Sequence, residues 1–162
     1  EYQGYNLGFS RQIPYNMIMK KIISHSNKQT TAIGKELGAG CQGGEVFALY
    51  GNLGAGKTCL AQGIAKGLRL KNKVNSPTFV IMKMYPIKRH KTIKHFCHID
   101  AYRLSKPQEL KAIGALDYIH QSDTVTVIEW PEKIKKILPK KTISIILKNN
   151  PPNPNDRILT KK

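Results

Sequence analysis

Gly51-Asn-Leu-Gly-Ala-Gly-Lys-Thr58 is the stretch that decides the fold. It matches G-x-x-x-x-G-K-[ST], in which each fixed residue has a physical task. The glycines let the backbone turn its N–H groups inward and keep Cβ atoms away from an anion. The lysine reaches the β/γ-phosphates of a nucleotide, and the threonine hydroxyl is a magnesium ligand. The flanking sequence suits this reading. Glu45-Val-Phe-Ala-Leu-Tyr50 before the loop has the apolar run of a buried strand, and Cys59 to Leu68 after it returns to helical spacing. A strand entering and a helix leaving put the helix N-terminus behind the anion.

Working outward, Ala32, Ile33 and Leu37 follow helical spacing over Lys28 to Leu37. Ser26 or Asn27 is available as cap, and the glycines from Gly38 to Gly44 end the helix. Further strands are expected over Phe79 to Tyr85, Ile93 to Ile99, Thr124 to Glu129 and Thr142 to Leu147. Pro86 to Lys91 reads as a polar turn, and Ser105 with Gln108 as a capping box opening a short helix. The Asn/Pro-rich Asn149 to Asp156 reads as a tail before Arg157-Ile-Leu resumes the apolar pattern. Alternation of strands and helices predicts an α/β domain, a single P-loop NTPase unit with a mostly parallel central sheet flanked by helices. That unit is expected over residues 21–162. Residues 1–20 are expected to form a flexible N-terminal extension, because Glu1 to Pro14 carry no periodic pattern.

The chain has 162 residues, 40% of them hydrophobic, enough for one domain with a buried core. No apolar run approaches the ~18 residues of a bilayer span, so a cytoplasmic protein without a membrane partner is expected. Cys41, Cys59 and Cys97 are an odd, widely spaced set that suits reduced thiols better than a disulfide framework or a zinc site. The formal net charge of +17 favours polyanions through counterion release, and a solvated lysine-rich surface would have the same composition.

A P-loop needs an acidic partner for its metal at the end of another strand. Two residues qualify, Asp100 after Ile93 to Ile99 and Glu129 after Thr124 to Ile128, and the pattern alone does not choose between them. His95 and His98 point to opposite faces of a strand, so a structural or hydrogen-bonding role is expected rather than a metal cluster.

Four motifs in order then resemble the TsaE family, the small ATPase component of bacterial tRNA threonylcarbamoyladenosine synthesis. They are Leu53-Gly-Ala-Gly-Lys-Thr58, Ser76-Pro-Thr-Phe79, His98-Ile-Asp-Ala-Tyr-Arg-Leu104 and Glu129-Trp-Pro131. The resemblance runs from about Ser24 to about Leu159. It implies ATP and Mg2+ as cofactors, with Thr58 and Glu129 holding the metal and Lys57, Asp100 and Glu129 as the catalytic set. Asp100 would orient the attacking water beside the γ-phosphate. Gly51, Asn52, Leu53, Gly54, Ala55, Gly56, Lys57, Thr58 and Cys59 would wrap the phosphates. Ser76 to Phe79 would form a γ-phosphate-sensing loop with Thr78 facing the site, and Trp130 would lie beside the nucleotide. Asn27 and Thr30 match positions near the base, and Arg157 a basic residue that contacts nucleotide. TsaB and TsaD are the implied partners, with tRNA contact through the basic surface as an addition. Asn52 departs from the acidic residue often found there, which alters local charge but not the backbone cradle.

Two other readings compete. A small metabolite kinase would need a lid arginine, and Leu104 to Lys141 contains none; Asn72-Lys-Val-Asn75 lacks the aspartate of a guanine-reading motif. A basic nucleic-acid binder with a vestigial P-loop is the non-enzyme alternative.

Overall fold

In a computed structural model of the chain, residues 21–71, 74–77 and 80–162 are described. The expected extension over residues 1–20, and Thr78 and Phe79 of the sensing loop, lie outside them.

Seven strands form one sheet: β1 (Ile22–Ser24), β2 (Val46–Tyr50), β3 (Met82–Pro86), β4 (His95–Asp100), β5 (Thr124–Glu129), β6 (Ile143–Asn150) and β7 (Asn153–Lys161). Their order is β1-β7-β6-β2-β5-β4-β3. The four central strands β6, β2, β5 and β4 are parallel, and the flanking pairings are antiparallel. The helices are α1 (Asn27–Ala39), α2 (Lys57–Gly67), α3 (Gln108–Ala112) and α4 (Ala115–Ile119), with a 3-10 turn over Pro131–Ile137.

Strands β2, β4 and β5 are buried on both faces, as parallel strands between helices must be, while β6 is only partly covered. Because side chains alternate, Phe47, Leu49, Val125 and Val127 pack beneath α1 and α2. Val46, Ile99 and Ile128 turn the other way, onto Leu104, Leu110, Ile119 and Ile134. The molecule is therefore three layers with two cores.

On the first face α1 and α2 approach backbone to backbone through Gly34 and Gly38 on one helix and Gly63 and Gly67 on the other. A Cβ on Gly38 would sit 2.1 Å from the Ile64 carbonyl oxygen, and one on Gly63 would sit 2.3 Å from that of Thr31. Ser26 is the cap of α1, its hydroxyl accepting from the Gln29 N–H at 3.2 Å.

The structure corrects several expected elements. The strand expected from Phe79 begins at Met82: the N–H groups of Val80 and Ile81 both donate to the Pro77 carbonyl, and Ile81 takes a positive φ of 63°. Pro86 closes that strand without cost because β3 is a sheet edge. The Asn/Pro-rich tail is instead the tip of a hairpin between β6 and β7. The register breaks at Asn149/Asn150, so Pro154 falls in the irregularity and owes no ladder hydrogen bond. The expected capping box does not form: Pro107, not Ser105, is the N-cap of α3 and makes no side-chain cap bond, and Glu109 instead accepts from the Ser105 and Lys106 N–H groups.

Candidate functional site

The phosphate loop leaves the C-terminal end of β2 in the middle of the sheet. Gly51 has φ 143°, and a Cβ there would lie 2.3 Å from the Leu147 carbonyl oxygen, so only glycine fits. Gly56 caps α2 in the left-handed region at φ 96°. Thr30, Leu147 and Arg157 lie around Gly56, each within 4 Å of the place a Cβ would occupy.

Lys57, the first residue of α2, is only 4% exposed. Its Nζ donates to the carbonyls of Gly51 (2.6 Å) and Asn52 (2.9 Å) and lies 3.6 Å from the centroid of the Trp130 ring. An ammonium has three protons, so two carbonyls and a ring face hold it without exhausting its donors. Burial lowers its pKa from the ordinary 10.5, while Glu129, Glu132 and Asp100 pull it back up.

The two strand-end carboxylates stand side by side. Parallel register places Asp100 opposite Glu129, and Glu129 opposite Leu49, one residue short of the end of β2. The Thr58 hydroxyl lies 3.1 and 3.0 Å from the two Glu129 carboxylate oxygens. His98 Nε2 lies 2.8 Å from Glu129 Oε1, both groups being buried. Asp100 accepts from the Tyr102 N–H at 3.1 Å and from the Ser76 hydroxyl at 3.4 Å. Trp130 itself sits in a left-handed conformation (φ 58°), with its N–H on the Leu49 carbonyl and its ring 5.0 Å from that of Tyr102.

Thr58, Glu129, Asp100, Lys57 and Trp130 thus converge beside the loop. Thr30 and Arg157 border it, although Thr30 is buried and bonded to Ser24 (2.8 Å), and the Arg157 Nη1 donates to the Pro154 and Asp156 carbonyls. Cys59 follows Thr58 and feels the Arg157 charge, which opposes the upward push of burial on its thiol. Asn27 is exposed at the start of α1, and no described contact ties it to the loop.

Sequence reading missed the reach of Ser76 to Asp100 and the tilted contact of the Tyr102 ring with that of Trp130. It anticipated a hydrogen-bonding role for His98 but not its partner, since 31 residues separate His98 from Glu129. Only the register of β4 against β5 brings them together.

The donors suit magnesium. A hydroxyl and a carboxylate in contact are hard oxygen ligands, and this ion keeps waters and substrate phosphates in its remaining positions. Among the described residues no group of three or more His, Cys, Asp or Glu could hold a metal by itself.

A phosphate loop at the end of a central parallel strand, with the strand-end carboxylate of Glu129 against its threonine, defines a P-loop NTPase fold. Within that class the chain belongs to the TsaE family: the family model for "Threonylcarbamoyl adenosine biosynthesis protein TsaE" matches residues 24–158. Two relatives named tRNA threonylcarbamoyladenosine biosynthesis protein TsaE agree. That of Treponema pallidum is 34% identical, over 79% of this chain and 90% of its own. That of Bacillus subtilis is 36% identical, over 75% and 72%. The crystal structure of Bacillus subtilis YdiB superposes with a TM-score of 0.68 at 30% identity, covering 87% of this chain and 82% of its own. No helix among the described residues is long and apolar enough to cross a membrane.

Proposed function

We propose that this chain is a magnesium-dependent ATP hydrolase that serves a TsaB–TsaD complex in tRNA N6-threonylcarbamoyladenosine modification. The observation that carries the reading is the Thr58 hydroxyl set within 3.1 Å of both Glu129 oxygens, at the mouth of the phosphate loop.

The loop N–H groups and the α2 N-terminus bind the β- and γ-phosphates. Lys57 exchanges its carbonyl partners for phosphate oxygens, to which it binds more strongly because they are charged. Thr58 and Glu129 would hold the magnesium ion, which supplies charge neutralisation of the transferring phosphoryl group. His98 fixes the Glu129 carboxylate by occupying one oxygen. Asp100, held by the Tyr102 N–H and the Ser76 hydroxyl, orients the attacking water. Its neighbour Ser76 connects that water site to the Ser76–Phe79 loop, so the nucleotide state is legible outside the pocket.

ATP hydrolysis measured with and without TsaB–TsaD tests the reading. Stimulation by the partners, with tighter partner binding in ATP than in ADP, is the expected result. Equal affinity in both states and no stimulation would remove the TsaE role and leave the P-loop. Thr78→Ala should shrink the ATP/ADP difference. A magnesium titration separates the carboxylates: Glu129→Ala raises the magnesium requirement, whereas Asp100→Ala lowers turnover and spares nucleotide binding.

A further inference from the structure

The end of the molecule opposite the phosphate loop carries a cleft that nucleotide hydrolysis does not use. It is a cavity of about 360 Å³ lined by Arg69, Leu70 and Lys71 after α2, and by Pro86, Ile87, Lys88 and Arg89 after β3. It lies a full helix length from Lys57, about 16 Å along α2 by the rise of eleven residues. Ile87 is buried, Leu70 is half-buried, and the four cations around them are exposed. Lys91 and Lys94 extend the charge along the same turn, both exposed.

Three features separate this cleft from an ordinary solvated lysine surface. First, its cations are unneutralised. Among the described residues no carboxylate stands within 4.0 Å of Arg69, Lys71, Lys88 or Arg89. Two acids at the start of the central strands have partners of their own: Glu45 accepts from the Gln42 and Gly43 N–H groups, and Asp123 from the Thr124 hydroxyl. Second, Arg69 is held against its own preference. The helix closes with the Leu70 N–H on Ala65 and the Arg69 N–H on Lys66, a Schellman motif whose left-handed position is normally glycine. Arg69 occupies it at φ 60°, a strained placement for a long side chain. Third, the cleft has an apolar floor and no aromatic side chain. That combination accepts phosphates and ribose flanks but offers no platform for stacking bases.

We propose that this cleft binds the phosphodiester backbone of a folded RNA, without reading its sequence, at the end of the domain remote from ATP. The proposal stands independently of the hydrolase reading, and its test separates the two.

The variant Arg69→Gln/Lys71→Gln/Lys88→Gln/Arg89→Gln should bind an unmodified tRNA transcript at least tenfold more weakly in fluorescence anisotropy. The slope of log affinity against log salt should become shallower by roughly three. ATP hydrolysis in the absence of RNA should match the parent protein. Removing four exposed lysines elsewhere, Lys28→Gln/Lys35→Gln/Lys135→Gln/Lys136→Gln, should change RNA affinity by less than about twofold. Arg69→Gly adds a readout that a structural role would not give: the melting temperature stays level or rises because the strain is relieved, while RNA affinity falls. Equal losses in the cleft and control variants would mean that net charge alone binds RNA, overturning the site. Unchanged RNA affinity in the cleft variant would overturn it as well. Binding of inorganic tripolyphosphate in the cleft with no competition by the transcript would replace the RNA backbone with a small anion, and so would overturn the proposal.

Discussion

The two faces of the sheet are built on opposite plans. On one, α1 and α2 run 13 and 11 residues and touch through glycines, with no side chain between them at the crossing. On the other, α3 and α4 are five residues each, joined at a left-handed Gly114, and a 3-10 turn follows β5. Helices so short have little stability of their own and depend on the core beneath them. The first face delivers the phosphate loop and Lys57. The second receives the chain as it leaves Asp100 and Glu129. The lesson is a difference in construction: the half that carries the phosphate loop is locked by close backbone approach of two helices, and the half beside Asp100 and Glu129 is built on short helices that rely on the packing of Leu104, Leu110, Ile119 and Ile134.

The largest expected break in this comparison is Lys57→Ala. It should lower kcat for ATP by about 10²–10³-fold, on the scale of losing one preorganised charged donor. Steady-state hydrolysis measures it, and turnover like that of the parent would reject the site. A matched pair of substitutions then probes the two faces. Gly38→Ala forces a Cβ into the Ile64 carbonyl and should cost about 3 kcal/mol. The melting temperature would drop by about 6–12 °C. Gly114→Ala meets only Asp117, at 3.9 Å, and carries the left-handed penalty of about 1 kcal/mol alone. Equal losses at the two glycines would erase the distinction between the faces.

A pH series sharpens the comparison further. Lys57 binds phosphate only when protonated, and burial sets its pKa below 10.5 in the free protein. On the proposed hydrolase reading, the Lys57 contribution to ATP affinity should be lost as pH rises through that lowered value, before an exposed lysine would titrate. Titration calorimetry at increasing pH reads the loss. The smallest effect is in the thiols. Burial raises the pKa of all three, Cys97 to about 12 and Cys41 still further. At pH 8 Cys59 should alkylate first, and ATP should slow it, because it follows Thr58 on the loop side of α2. Mass spectrometry after timed iodoacetamide treatment gives the order.

How much of this was legible beforehand follows a physical line. The phosphate loop, its flanking strand and helix, and both strand-end carboxylates are local patterns, and periodicity with residue type sufficed to find them. Long-range facts were not legible. The contact of α1 with α2 rests on four glycines that, read alone, resemble a helix stop or a weak helix. The three residues of β1 are too few to show a period, and Ile22↔Leu159 pairing spans nearly the whole chain. The hairpin tip was hidden because Pro154 argues against a strand unless the register break is known. The apposition of Asp100 and Glu129 needed the parallel pairing of β4 with β5. The separate roles proposed for them rest on family resemblance and not on the pattern.

Trp130 is the chain's single tryptophan, and its ring lies 3.6 Å from the Lys57 ammonium. Indole emission is sensitive to a charge at that distance. The protein therefore carries its own optical probe beside the phosphate loop, and on the proposed hydrolase reading a stopped-flow trace of the unlabelled chain should time the lysine's departure from the ring when ATP is added.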